Sequence, residues 1–74
     1  MSNPTKLIRV TVNGKPQEIP SGLTLLEHLV QRKVRPELVT VEVNGNILQK
    51  LDYESLEIKN GDKIEFAFYM GGGA

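Results

Sequence analysis

Thr24-Leu25-Leu26-Glu27-His28-Leu29-Val30-Gln31-Arg32-Lys33 is the one stretch of the chain with helical spacing, and it decides what the rest must be. Thr24 and Glu27 stand three apart in the capping-box arrangement. The threonine hydroxyl accepts from the Glu27 amide, and the glutamate carboxylate reaches back to the Thr24 amide. Losing such a cap costs ~1 kcal/mol. Leu25, Leu26, Leu29 and Val30 form an apolar stripe at the helical period. Each is worth ~1.5–3 kcal/mol when buried, a large share of a small core. Leu23 precedes the cap but would face His28, so the usual hydrophobic staple is weak. Arg32 and Lys33 suit the negative helix end, and Pro36 forbids continuation. The expected helix runs from about Leu25 to Lys33.

Working outward, the flanking segments read as strands. Ile8, Val10 and Val12 share one face of a strand from Lys6 to Val12, with Arg9 and Thr11 on the other. Asn13-Gly14 is a type I′ hairpin signal. A short return strand spans Pro16 to Ile19, and Pro16 restricts it to an edge or a strand start. After the helix, Leu38 to Val43 alternates cleanly, with Val39, Val41 and Val43 inward, before a second turn at Asn44-Gly45. Ile47-Leu48 begin a short strand. Gln49 to Lys59 is irregular, with Leu51, Leu56 and Ile58 expected as core anchors and Tyr53 at the core edge. Asn60-Gly61-Asp62 turns the chain into a last strand, Lys63 to Tyr69, where Ile64, Phe66 and Phe68 face inward.

A sheet of four or five strands must bury one face, and one helix is available to cover it. The fold class is therefore α+β, a mixed sheet with a single helix packed across it. The first and last strands are expected as central neighbours. That arrangement is the ubiquitin-like β-grasp.

Composition narrows the function classes. The chain has 74 residues, no cysteine and one histidine, with nine Lys plus Arg against nine Asp plus Glu. Disulfides are impossible and a protein-held zinc site is not expected. The basic residues are dispersed and the net charge is zero, which argues against nucleic acid. No apolar run approaches the ~20 residues that span a bilayer. Met1-Ser2-Asn3-Pro4-Thr5 lacks a signal-peptide core, so a cytoplasmic location is expected. His28 is read as a surface or boundary residue, since no partner for catalysis or ligation is patterned near it.

The last strand runs into Met70-Gly71-Gly72-Gly73-Ala74. Glycines cannot pack, so the tail is either fraying or something to be delivered. Three extended residues reach about 10 Å, enough to place a carboxylate inside another protein's pocket. The expected organisation is a domain over residues 1–70 and a flexible tail over 71–74. Tyr69 and Met70, an aromatic and a thioether before the tail, are candidate docking residues.

Several motifs carry a resemblance. They are Val12-Asn13-Gly14, Thr24-Leu25-Leu26-Glu27-His28-Leu29, Val41-Glu42-Val43-Asn44-Gly45, Leu56, Asn60-Gly61-Asp62-Lys63-Ile64-Glu65 and the glycine tail. None is specific alone. As an ordered set covering nearly the whole chain, they resemble the ThiS/MoaD sulfur carriers, and within them the ThiS branch of thiamine thiazole synthesis. The shorter length and the absence of a proline-rich approach to the tail set the chain apart from the molybdopterin carriers.

The resemblance implies that the protein is not an enzyme and binds no cofactor or metal of its own. An E1-like adenylating enzyme of the ThiF/MoeB type uses ATP to adenylate the terminal glycine, here Gly73. A sulfur donor converts the adenylate to a thiocarboxylate, which gives sulfide to a biosynthetic enzyme. Gly71 and Gly72 would thread the narrow groove, where a Cβ would collide with the walls. The family ends in Gly-Gly, whereas Ala74 follows Gly73 here. That departure implies a precursor, cut at Gly73–Ala74 by a metalloprotease of the deubiquitinase type. Thiamine, cysteine and homocysteine synthesis all remain open as destinations. The competing functions are a ubiquitin-like modifier joined to lysines and a β-grasp RNA-binding module.

Overall fold

The computed structural model describes residues 6–68. In chain order the strands and helix are β1 (Leu7–Val12), β2 (Lys15–Pro20), α1 (Leu25–Gln31), β3 (Val39–Val43), β4 (Asn46–Ile47) and β5 (Lys63–Phe68). Short 3₁₀ turns at Pro36–Leu38 and Lys50–Asp52 complete the set. The five strands form one mixed sheet in the order β2-β1-β5-β3-β4. Only the β1–β5 pair is parallel; the other three pairs are antiparallel. The sheet with its single helix is a ubiquitin-like β-grasp, and the first and last strands are central neighbours, as the alternation of both implied.

The two Asn-Gly pairs make the hairpins. Asn13 and Gly14 have φ of +50° and +83°, and Asn44 and Gly45 have +54° and +87°. Positive φ at both central residues is what a type I′ turn demands, and its twist matches that of the strands. Val12 opposite Lys15 and Val43 opposite Asn46 close the two-residue loops. β2, which carries Pro16 and Pro20, lies at the sheet edge, where a missing N–H costs no ladder bond.

The core lies between α1 and one sheet face. Leu25 and Leu29 meet Val10, Val12, Ile19, Val39, Val41, Val43 and Ile64, with Tyr53 and Ile58 closing the side. Two expectations are corrected here, one for an anchor and one for the core edge. Leu51 is 86% exposed, because the 3₁₀ turn at Lys50–Asp52 aims it at solvent. Tyr53, expected at the core edge, is instead fully inside. Along β5 the cover fades: Ile64 is buried, Phe66 half-buried, and Phe68 53% exposed.

The irregular segment between β4 and β5 has a structural task. A helix leaves its first amides without intrahelical partners. Here the Leu25 amide donates to the Leu56 carbonyl and the Leu26 amide to the Tyr53 carbonyl, both at 2.8 Å. The Glu27 amide donates to Thr24 Oγ1 at 3.1 Å, and the Thr24 amide to Glu27 Oε1 at 2.9 Å, so the capping box forms as expected.

The helix ends earlier than Pro36 requires. The Lys33 amide donates to the Val30 carbonyl at 3.0 Å and the Val34 amide to the Leu29 carbonyl at 2.9 Å. That is the Schellman pattern, with Val34 packed against the core and Lys33 in the left-handed position at φ +60°. Glycine usually holds that position, because a Cβ there is strained. Lys33→Gly is expected to stabilise the protein by ~0.5–1 kcal/mol. Urea unfolding checks this; an unchanged or lower midpoint would contradict the strain argument.

Candidate functional site

Tyr69, Met70, Gly71, Gly72, Gly73 and Ala74, the residues singled out from the sequence, lie outside the described residues, as does the expected domain boundary at 70/71. What the structure describes is the strand that leads to them. β5 sits between β1 and β3 and ends at Phe68. The candidate site is therefore the upper end of β5 and whatever fixes its direction.

The start of β5 is held by the Asn60-Gly61-Asp62 turn. Gly61 has φ +91°, and its amide donates to the Arg9 carbonyl at 2.7 Å. The Arg9 amide donates in turn to Asn60 Oδ1 at 2.8 Å. The Asp62 carboxylate accepts the Lys59 amide at 2.8 Å and Asn44 Nδ2 at 2.9 Å. Asn44 Oδ1 accepts the Lys63 amide at 2.9 Å. The turn is thereby tied both to β1 and to the β3–β4 hairpin. The Arg9 side chain lies 3.4 Å from Glu18 on the surface, where ion pairs contribute little.

Further along, Asn13 touches β5 twice. Its amide donates to the Ile64 carbonyl at 2.9 Å, and its Oδ1 accepts the Phe66 amide at 2.8 Å. The Phe66 ring is flanked by His28, with ring centroids 6.2 Å apart, and by the Arg32 guanidinium, 6.0 Å from its centroid. Arg32 also donates to Gln17 Oε1 at 2.8 Å, which ties the helix end to β2. A shallow cavity of about 330 Å³ lies beside this strand, lined by Asn13, Thr40, Glu42, Glu65, Phe66 and Ala67. Among the described residues no three His, Cys, Asp or Glu side chains gather as a metal site. Among them, too, no helix is long and apolar enough to cross a membrane.

His28 corrects a sequence expectation. It is 2% exposed, not at the surface, while Val30 is 62% exposed. Positions 25, 28 and 29 face the sheet, and the helix has turned by about one residue from the expected stripe. Both stripes satisfy a 3.6-residue period, so the period alone does not choose between them. The His28 Nε2 has no hydrogen-bond partner among the described residues. Burial, and then the charge of Arg32, hold its pKa below 6.5. In the sequence Asn13, Asn44, Asn60 and Asp62 signal turns and nothing more. Their side-chain work was hidden because it depends on which strands meet.

A family model described as the ThiS family matches residues 10–73. The chain belongs to the ThiS family. Two solved structures are similar to it. The crystal structure of the thiamine biosynthesis protein ThiS from Geobacter metallireducens is 40% identical, with a TM-score of 0.79, and the match covers 89% of this chain and all (100%) of that one. An NMR structure of a thiamine biosynthesis protein from the same organism is 40% identical, with a TM-score of 0.74 and 90% of each chain covered. Among curated proteins, thiazole synthases of Paramagnetospirillum magneticum and Magnetococcus marinus are 28% and 30% identical over 67 and 66 residues. These matches take in 90% and 89% of this chain but only 21% and 20% of the relatives, so the chain spans about a fifth of their length.

Two outcomes test this geometry. Folding lowers the His28 pKa, so the unfolded chain takes up the proton first, and stability present above pH 6.5 is lost as pH falls from 6.5 through the lower folded pKa. The urea midpoint should drop between pH 7.5 and 5, and drop less in His28→Leu; parallel profiles would refute the assignment. Asp62→Ala removes two hydrogen bonds at one carboxylate and should cost about 1–3 kcal/mol. A loss under about 0.5 kcal/mol would show that the turn holds without it.

Proposed function

We propose that this ThiS-family chain is a sulfur carrier, not a catalyst, whose working group is the carboxylate of Gly73. An E1-like enzyme of the ThiF/MoeB type supplies the chemistry. The Gly73 carboxylate attacks the α-phosphate of ATP, and pyrophosphate leaves. A sulfide equivalent then attacks the acyl carbon and AMP leaves, which yields a thiocarboxylate. The sulfur passes to an accepting enzyme. A carboxylate is a poor electrophile and the acyl adenylate a good one, so activation must come first. The carrier needs no thiol, because the sulfur is carried on a backbone carbonyl; the sequence contains no cysteine.

The observation that carries this reading is the placement of β5. The strand is gripped between β1 and β3, and six residues that include Gly71, Gly72 and Gly73 follow it. A rigid root before a run with no side chains suits delivery into a narrow groove. The domain over residues 1–70 would be the root and residues 71–74 the tail, with Tyr69 and Met70 at the docking surface.

The proposed acceptor is a thiazole synthase. The support is that two proteins of that name contain a segment similar to 90% and 89% of this chain. Ala74 follows Gly73 in the sequence, so cleavage of the Gly73–Ala74 bond, by a metalloprotease, belongs to the proposal. The reaction is placed in the cytoplasm, where ATP is available.

The test compares chains ending at Ala74 and at Gly73, each given ATP, the adenylating enzyme and inorganic sulfide as the sulfur source. Pyrophosphate release and a terminal thiocarboxylate, read as an intact-mass gain of about 16 Da, are expected only from the Gly73 chain. Equal yield from both chains would remove the processing step. No product from either would remove the carrier reading, and an isopeptide on lysines would replace it with the modifier.

A further inference from the structure

Asn13 ends β1 with its main chain and prolongs the sheet with its side chain. In a parallel ladder each alternate residue donates its N–H to one carbonyl of the neighbouring strand. Its own C=O accepts an N–H two residues further along that strand. Thr11 and Val12 lie opposite Lys63 and Ile64, so residue 13 falls opposite residue 65. The Asn13 amide duly donates to the Ile64 carbonyl at 2.9 Å. The next bond of the ladder belongs to the Phe66 amide. It is accepted by Oδ1 of Asn13 at 2.8 Å, while the main chain at φ +50° has already turned towards Gly14. The side-chain amide stands in for the carbonyl that a straight β1 would have offered. Asn and Asp combine such an acceptor with tolerance of the left-handed region.

We propose that Asn13 is a positioning residue for the chemistry at Gly73, an inference that rests on the carrier reading above. Phe66 is the last described residue of β5 fixed from both sides. Val41 of β3 lies opposite it, Asn13 holds its amide, and His28 and Arg32 flank its ring. Ala67 and Phe68 pair with β3 alone among the described residues. From Phe66 to Gly73 is seven residues, at most about 23–25 Å of extended chain. That two-sided anchor is the root from which the arm is offered. Loosening the anchor spreads the positions of the carboxylate and lowers the fraction of encounters that deliver it.

Two substitutions separate this role from a merely structural one. Asn13→Gly keeps a backbone suited to the turn and removes the acceptor; Asn13→Asp keeps both. In chains ending at Gly73, ATP–pyrophosphate exchange with the adenylating enzyme should show the KM for Asn13→Gly raised roughly 3–10-fold, the cost of about one hydrogen bond, with kcat unchanged. Asn13→Asp should restore the KM to within about twofold. In the full chain, amide exchange at Phe66 should rise about tenfold or more in Asn13→Gly, with Glu65 and Ala67 unmoved. An unmoved KM in Asn13→Gly, or an Asn13→Asp as impaired as Asn13→Gly, overturns the inference alone. No exchange from the unsubstituted chain overturns the carrier reading and this inference with it.

Discussion

The structure depends on how β5 is inserted between β1 and β3. Its parallel contact with β1 joins residues more than fifty positions apart, yet spans only two register pairs, Thr11–Lys63 and Val12–Ile64. Such a short pairing is held by what surrounds it. Asn60, Gly61 and Asp62 bond to Arg9, Thr11 and Asn44, and Asn13 grips Ile64 and Phe66. These bonds satisfy polar groups that the turn would otherwise leave bare at the sheet. Without them the β1–β2 hairpin, too small to be stable alone, would part from the strands β5, β3 and β4.

Much of this fold was legible in the sequence because the relevant signals are local. Asn13-Gly14 and Asn44-Gly45 needed only the steric rule for positive φ, and Thr24 with Glu27 only the rule for helix caps. Both appear as read. The failures occurred where a choice depended on a distant partner. Whether Val30 or His28 faces inward is decided by Phe66 and the sheet, not by the helix. Whether Leu51 or Tyr53 is buried depends on a 3₁₀ turn whose direction a period of two or 3.6 does not capture. Lys33 as a helix terminator was masked by Pro36, the more familiar stop signal.

The functional reading was legible for a different reason. The glycine tail and the ordered motifs before it identified a family, and the match to the ThiS family over residues 10–73 bears that out. What the motifs do physically did not follow from their recognition. Asn60-Gly61-Asp62 marks the family as a word in the sequence; in the molecule it is the fastening for β5. The carboxamides of Asn13 and Asn44 extend the same fastening by reaching across strands, an act invisible to any reading that treats a turn as backbone alone.

β5 is the last described element to be made and one of the innermost in the sheet. Before that strand is present, β1–β2 and β3–β4 have nothing between them to pair with, and the face that packs on α1 is incomplete. A chain that stops short of Lys63 therefore lacks the piece that joins its two halves, and is expected to be open to proteolysis where the full chain is not.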